Sequence, residues 1–147
     1  MNTKMEFFVP GKPAPGGSKT GFYIKSVNRV VMSPACKRTK PWMATVSAFA
    51  KLHYQGPLLI GPVRVMIIFC FLRPKNHYGT GKNASILKAS APKYHTVKPD
   101  TTKLFRSTED AMVGIIYRDD SQVMHGPSEK VYVDRDPGAQ ITIEEIL

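Results

Sequence analysis

Five of the eleven acidic residues in this 147-residue chain fall within 21 positions: Asp100, Glu109, Asp110, Asp119 and Asp120. Crowded carboxylates repel one another unless a cation neutralises them, and hard oxygen donors suit Mg2+ or Mn2+. An ion held by such a group activates water and stabilises a leaving oxygen, which is the chemistry of phosphodiester hydrolysis. A four-residue spacing puts Thr102, Arg106 and Asp110 on one face of a helix. There Arg106 is either a neutralising ion-pair partner or an electrostatic clamp on a phosphate. Its permanent charge bars it from general-acid work. By spacing alone the same acids also read as a solvated helix face at Glu109 and Asp110 and a polar turn at Asp119 and Asp120.

Periodicity names the elements that must position these groups. Residues 102–113 read as a helix ending at Gly114, with Leu104, Thr108, Ala111, Met112 and Ile115 on the face opposite the candidate site. The apolar step Ile115-Ile116-Tyr117 then leads to Asp119 and Asp120 and can return them beside Asp100. Pro99 biases Lys98 towards extended backbone. Upstream, residues 5–9 form a strand that the Pro- and Gly-rich run from Pro10 to Gly17 ends. Residues 22–25 and 30–33 pair as a hairpin. Pro41 opens a helix carrying Trp42, Val46, Phe49, Ala50 and His53 at helical spacing, and Gly56-Pro57 stops it. Residues 63–72 are the central strand, and their near-continuous apolar character predicts burial on both faces. Residues 130–133 and 140–146 close the sheet. The expected fold class is α+β: one domain over 1–147, a mixed sheet of about five strands with two main helices packed on it, and a long basic loop at 74–98.

Charge points to the partner. Residues 1–99 carry sixteen basic side chains and a single acid, Glu6, whereas residues 100–147 carry five basic and ten acidic ones. Such an excess favours a polyanion, because each phosphate contact releases counterions. The longest apolar run, residues 65–72, is far short of the roughly 20 residues of a membrane span. No basic amphipathic helix suits a membrane surface, and no stretch has the order of a signal peptide. The expectation is a cytoplasmic protein with no membrane partner. Cys36 and Cys70 make neither a disulfide framework nor a zinc pattern. His77 and His95, 18 residues apart with no cysteine nearby, read as DNA contacts or bystanders rather than metal ligands. Trp42 and Tyr54 could stack on bases, but Trp42 on its helical stripe reads better as core. Pro99-Asp100 also fits nucleases of the Pro-Asp…acid-x-Lys type. That reading lacks its second half, since Glu129 adjoins Lys130 instead of lying two before it.

From Lys98-Pro99-Asp100 to Asp119-Asp120-Ser121-Gln122-Val123 the chain resembles the RusA-like endodeoxyribonucleases, Holliday-junction resolvases common in bacteriophages and prophages. The segment KPDTTKLFRSTEDAMVGIIYRDDSQV carries the match: a Pro-Asp start, a helix with a basic residue near its middle and Asp-Ala near its end, then Asp-Asp-x-Gln-Val. The stretches FFVPGKPAPGGSK, FCFLRPKNHY and PGAQITIEEI fit the family's general layout.

The resemblance implies a RusA-like fold and a small homodimer. It implies one Mg2+ site per subunit, with Mn2+ substituting, and no small-molecule cofactor. The implied activity is hydrolysis of branched DNA in recombination, repair or phage DNA processing inside a bacterial host cell. Asp100 and Asp120 match the family's catalytic aspartates, and Arg106 stands where many members place a lysine. The implied metal ligands are Asp100, Asp119 and Asp120. The family's second aspartate is Thr102 here, so Glu109 or Asp110 is expected to supply the missing carboxylate. Lys98 and Lys103, with Lys75, Lys93 and Arg73, are expected to hold the DNA backbone, since phosphate contacts position without reading sequence. The change at Thr102 also leaves a second reading, a non-catalytic branched-DNA-binding protein with an impaired metal site.

Overall fold

The computed structural model describes residues 3–17, 19–34 and 36–146. Its elements in chain order are strands β1 (Lys4–Pro10), β2 (Lys19–Ile24) and β3 (Arg29–Pro34), helix α1 (Thr39–His53), strand β4 (Val63–Leu72), helix α2 (Thr101–Met112), and strands β5 (Val123–His125), β6 (Glu129–Val133) and β7 (Gly138–Glu145). β4 is the axis of a mixed five-stranded sheet. β7 runs antiparallel along one edge of β4, and β1 lies antiparallel outside β7. On the other edge β5 pairs with Val63 to Val65 and β6 with Ile68 to Leu72, both parallel. β2 and β3 form a separate two-stranded hairpin, so the sheet reaches five strands through β5, a segment too short for sequence alternation to reveal.

The two helices cover one face of this sheet. Val63, Val65, Ile67, Phe69 and Phe71 of β4 are buried there with Phe7 and Val9 of β1 and Ala139, Ile141 and Ile143 of β7. Trp42, Val46 and Ala50 of α1 and Leu104, Phe105, Ala111 and Met112 of α2 complete the core. The expected two-sided burial of β4 is therefore corrected: Ile68 and Leu72, on the opposite face, are 39% and 52% exposed. Its neighbour β7 is antiparallel, so no crossover helix is required on the second face. Among the described residues no helix is long and apolar enough to cross a membrane.

One further expectation shifts. α2 begins and ends one residue earlier than periodicity suggests, because Val113 is already extended and its N–H reaches back to the Asp110 carbonyl. The basic stretch at 74–98 is anchored to the rest of the fold. It contains 3-10 turns at Lys75–His77 and Gly81–Asn83. It also runs along β6, where the His95 N–H donates to the Lys130 carbonyl and the Tyr132 N–H to the Lys93 carbonyl, at 2.9 and 3.0 Å.

The join between β1, β7 and β4 leaves no room at Gly138, which faces Pro10 on one side and Cys70 on the other. A β-carbon there would lie 2.1 Å from the Val9 carbonyl oxygen. Gly138→Ala is expected to destabilise the protein by about 1–3 kcal/mol, read as a lower urea midpoint at unchanged slope.

Candidate active site

Helix α2 is held by hydrogen bonds that begin on its buried face. The Ser107 hydroxyl donates to the Ala14 carbonyl at 2.6 Å, and the Gly16 N–H donates to the Lys103 carbonyl at 2.9 Å. From α1, the Trp42 indole N–H donates to the Thr108 hydroxyl and the Ser47 hydroxyl to the Ala111 carbonyl. The Pro- and Gly-rich run after β1 is thus packed against α2. A β-carbon on Gly16 would come within 2.9 Å of the Ser107 β-carbon. What α2 turns outward is a stripe of Thr102, Lys103, Arg106, Asp110 and Val113. Gly17, in the left-handed region at φ +86°, brings the chain against Arg106; a β-carbon there would stand 3.0 Å from the Arg106 Cδ.

Past α2 the chain reverses at Gly114, φ +79°. The Gly114 N–H donates to the Tyr117 carbonyl, and the buried Tyr117 hydroxyl donates to the Glu109 carbonyl at 2.7 Å. The turn is then pinned to the segment before β4. The Leu59 N–H donates to the Ile116 carbonyl, and the Gln122 amide nitrogen donates to the Leu59 and Gly61 carbonyls at 2.9 and 2.8 Å. Asp119 opens the 3-10 turn Asp120–Gln122. Its carboxylate accepts the Ser121 N–H at 2.8 Å, and the Gln122 side-chain oxygen accepts the Asp119 N–H.

This reversal brings Glu109, Asp110 and Asp120 together, each offering a carboxylate oxygen within 4.8 Å of the others. Glu109 is 9% exposed, whereas Asp110 and Asp120 are open to solvent. The Glu109 carboxylate meets the His125 Nε2 at 3.2 Å, and the His125 ring lies 4.1 Å from that of Phe105. Burial pushes the Glu109 carboxyl above the usual carboxylate range, with His125 opposing and the charges of Asp110 and Asp120 adding to the rise. Asp110 is also raised, by burial and then by Asp120, with Arg106 opposing. Three mutually repelling carboxylates, two of them reluctant to ionise, form a hard-oxygen donor set that fits Mg2+ or Mn2+.

The structure divides the residues singled out in the sequence. Glu109, Asp110 and Asp120 converge, and Arg106 acts electrostatically on Asp110. Asp100 is outside this group, at the other end of α2. Ten residues of helix put about 15 Å along the axis between it and Asp110. The short return that could have carried Asp120 back to Asp100 instead carries it to the end of the helix. Asp100 occupies the N-cap position, yet its carboxylate makes no cap bond.

Asp119, expected as a ligand, accepts the Ser121 N–H through one carboxylate oxygen, which holds that carboxyl below the usual range. Lys98 and Lys103 flank the start of α2, and Lys75 and Lys93 are exposed on the basic stretch. Arg73, expected on the DNA backbone, is committed inside the protein. Its guanidinium donates to the Pro92 carbonyl at 2.6 Å and lies 5.5 Å from the centre of the Tyr132 ring. Trp42 is core, as its stripe suggests. His125 was invisible to sequence reasoning: the three-residue strand that presents it has no period, and 15 residues separate it from Glu109.

A raised carboxyl in the folded state has a definite consequence for stability. Ionising Asp110 costs folding free energy; the cost is absent below its unfolded value of about 3.9 and complete above the raised folded value. In a chelator, Asp110→Asn should therefore raise the Tm at neutral pH, with the gain shrinking to nothing near about pH 3. A Tm gain that persists undiminished in acid would show that the repulsion is not its source.

Residues 10–144 match the family described as Endodeoxyribonuclease RusA. A protein of Bacillus subtilis (strain 168), described as the uncharacterized protein YqaN, is similar over 142 residues at 26% identity, covering 97% of this chain and 96% of the relative. The family match runs from the end of β1 into the last residues of β7. It takes in the helix, the acidic turn and the sheet that holds them together, and on that extent the chain belongs to the RusA family of endodeoxyribonucleases.

Proposed function

We propose that this protein is a metal-dependent, structure-selective endonuclease that hydrolyses phosphodiesters at Holliday junctions or other branched DNA. The observation that carries the reading is the convergence of Glu109, Asp110 and Asp120 at one end of α2 in a chain that is otherwise strongly basic. These three carboxylates would hold Mg2+, with Mn2+ as substitute. A divalent cation there supplies Lewis-acid charge for activating water and for the leaving oxygen. His125 supports the buried Glu109, opposing the rise that burial imposes on its carboxyl.

Arg106 lies on the same stripe and offers fixed positive charge to a phosphate undergoing attack. Asp119 acts by shaping the turn that presents Asp120. Asp100, unspent on the helix cap, is the acid at the far end of the stripe and works on the substrate strand next to Lys98 and Lys103. Lys75 and Lys93 extend the basic surface along the 74–98 stretch. A homodimer, with one such site per subunit, suits a substrate that needs two cuts. A role in recombination, repair or phage DNA processing in the bacterial cytoplasm follows from the family's usual setting.

A second reading has its own observation. Thr102 carries no charge where an aspartate is usual, and Glu109 and Asp110 are both raised, so the protein would bind branched DNA without cutting it.

Cleavage of a synthetic four-way junction beside a linear duplex of the same sequence decides between them. Paired cuts near the branch in Mg2+ or Mn2+ are expected. Asp120→Asn should lower the rate by at least about 100-fold and weaken Mn2+ binding, as loss of a ligand does, with junction binding retained. Asp100→Asn is expected to slow cleavage while leaving Mn2+ affinity within about threefold. Junction binding without cutting in either metal would favour the second reading.

A further inference from the structure

A cavity of about 360 Å³ opens beside the start of α2, away from the three converging carboxylates. Phe71 of β4, Tyr132 of β6 and His95 form its aromatic wall, and Lys12, Arg38 and Lys98 bring three cations to it. Among the described residues no acidic side chain lines it. The His95 imidazole stacks on the Phe71 ring at 4.1 Å and 20°, with Tyr132 inclined to it at 5.1 Å. The ring is 7% exposed, and its Nδ1 is the one buried side-chain nitrogen or oxygen among the described residues that has no hydrogen-bond partner.

Burial, with the charge of Lys130, holds the His95 imidazole below its usual range. The ring is therefore neutral at physiological pH and offers one donor and one acceptor. The walls thus provide aromatic surface for a planar ring, a neutral imidazole beside it, and cations for an attached anion. A cationic ligand meets three like charges here. The volume lies at the small end of ligand cavities, suiting one ring system with its phosphate. Lys98 and Pro99 line the cavity and lead directly to Asp100, so a strand running along α2 passes its mouth.

We propose that this cavity receives a single unpaired nucleobase of the DNA substrate, stacked within the Phe71, Tyr132 and His95 wall, with the flanking phosphates on Lys12, Arg38 and Lys98. The inference rests on the branched-DNA reading above and adds to it a base-binding site separate from the carboxylates. Unpaired bases at a branch point are the least costly to extrude, so a one-base pocket would favour branched over linear DNA.

The test places 2-aminopurine singly at each position around the centre of a four-way junction, in a chelator so that nothing is cut, with protein at saturation. At one position the fluorescence should rise by about threefold or more as the base leaves its stack. Leu72→Trp fills the cavity from an exposed rim position, and His95→Phe keeps the stacking ring without its nitrogens. Each should abolish most of that rise on fully bound junction. A junction that binds with no rise at any position, or with a rise that both variants leave intact, overturns the proposal. Absence of junction binding would instead sink the branched-DNA reading itself. In that case a titration with free 5′-mononucleotides, read on the His95 ring resonances, separates the sources. Saturable shifts lost in Leu72→Trp would reassign the cavity to free nucleotides and overturn the DNA source, and no shifts would overturn a nucleobase site altogether.

Discussion

The rotation of α2 about its own axis decides what this protein presents to its substrate, and hydrogen bonds from the helix's buried face fix that rotation. Ser107 is bonded to Ala14, Thr108 to Trp42, and the Ala111 carbonyl to Ser47. Residues on the helix follow one another at about 100°, so a turn of that size would bury Asp110 and expose Leu104 or Phe105. Apolar packing alone specifies such an angle loosely, because a wide buried face tolerates small rotations. Buried polar bonds do not, since each one lost leaves a donor or acceptor without a partner. The hydroxyl-rich inner face of α2 is therefore part of the site, although none of those hydroxyls faces substrate.

The acid group is assembled against its own electrostatics. Glu109 is buried, Asp110 lies beside it at the surface, and Asp120 is brought close to both by a turn anchored through Gln122. Repulsion at this range favours any cation that neutralises it, and hydrogen bonds anchor the turn that brings the charges together. Gln122 is bonded to two carbonyls before β4, and Leu59 to the chain just past the helix. The fold thus holds three carboxylates close together although like charges repel, and the metal-dependent reading rests on that convergence.

Much of this was legible in the sequence, for identifiable reasons. The helical stripe of Thr102, Arg106 and Asp110 depends only on a period of 3.6 residues, and all three are exposed together. The acid cluster was recognisable by its isolation in a basic chain. What could not be read was which acids meet. Asp120 goes to Asp110 and Glu109 because Gly114, Tyr117 and Gln122 close a specific reversal, and that closure depends on contacts with Leu59 and Gly61, more than 50 residues earlier. The burial of Glu109 and its His125 partner are hidden for the same reason. The one-sided burial of β4 was misread because an apolar run has no period to distinguish a strand covered on one face from one covered on both.

The start of α2 is fixed by a different device, and it explains why the two ends of the helix belong to one rigid frame. The Lys130 ammonium, on β6, donates to the Val97 and Pro99 carbonyls at 2.7 and 2.8 Å. Arg73 braces the same stretch from the end of β4 through Pro92, over the Tyr132 ring. Lys130 is spent on carbonyls, and Arg73 on a carbonyl and the Asp134 carboxylate, instead of being held out to solvent. A basic residue in a nucleic-acid enzyme is easily assigned to phosphate, but these two serve the chain that carries Lys98 and Asp100. With β6 locating the first residue of the helix and the segment before β4 locating the turn beyond its end, the sheet sets the spacing between Asp100 and the three clustered acids. Any strand of DNA laid along the exposed stripe meets cations, a lone acid, Arg106 and the acid cluster in an order that the β-sheet, not the helix alone, enforces.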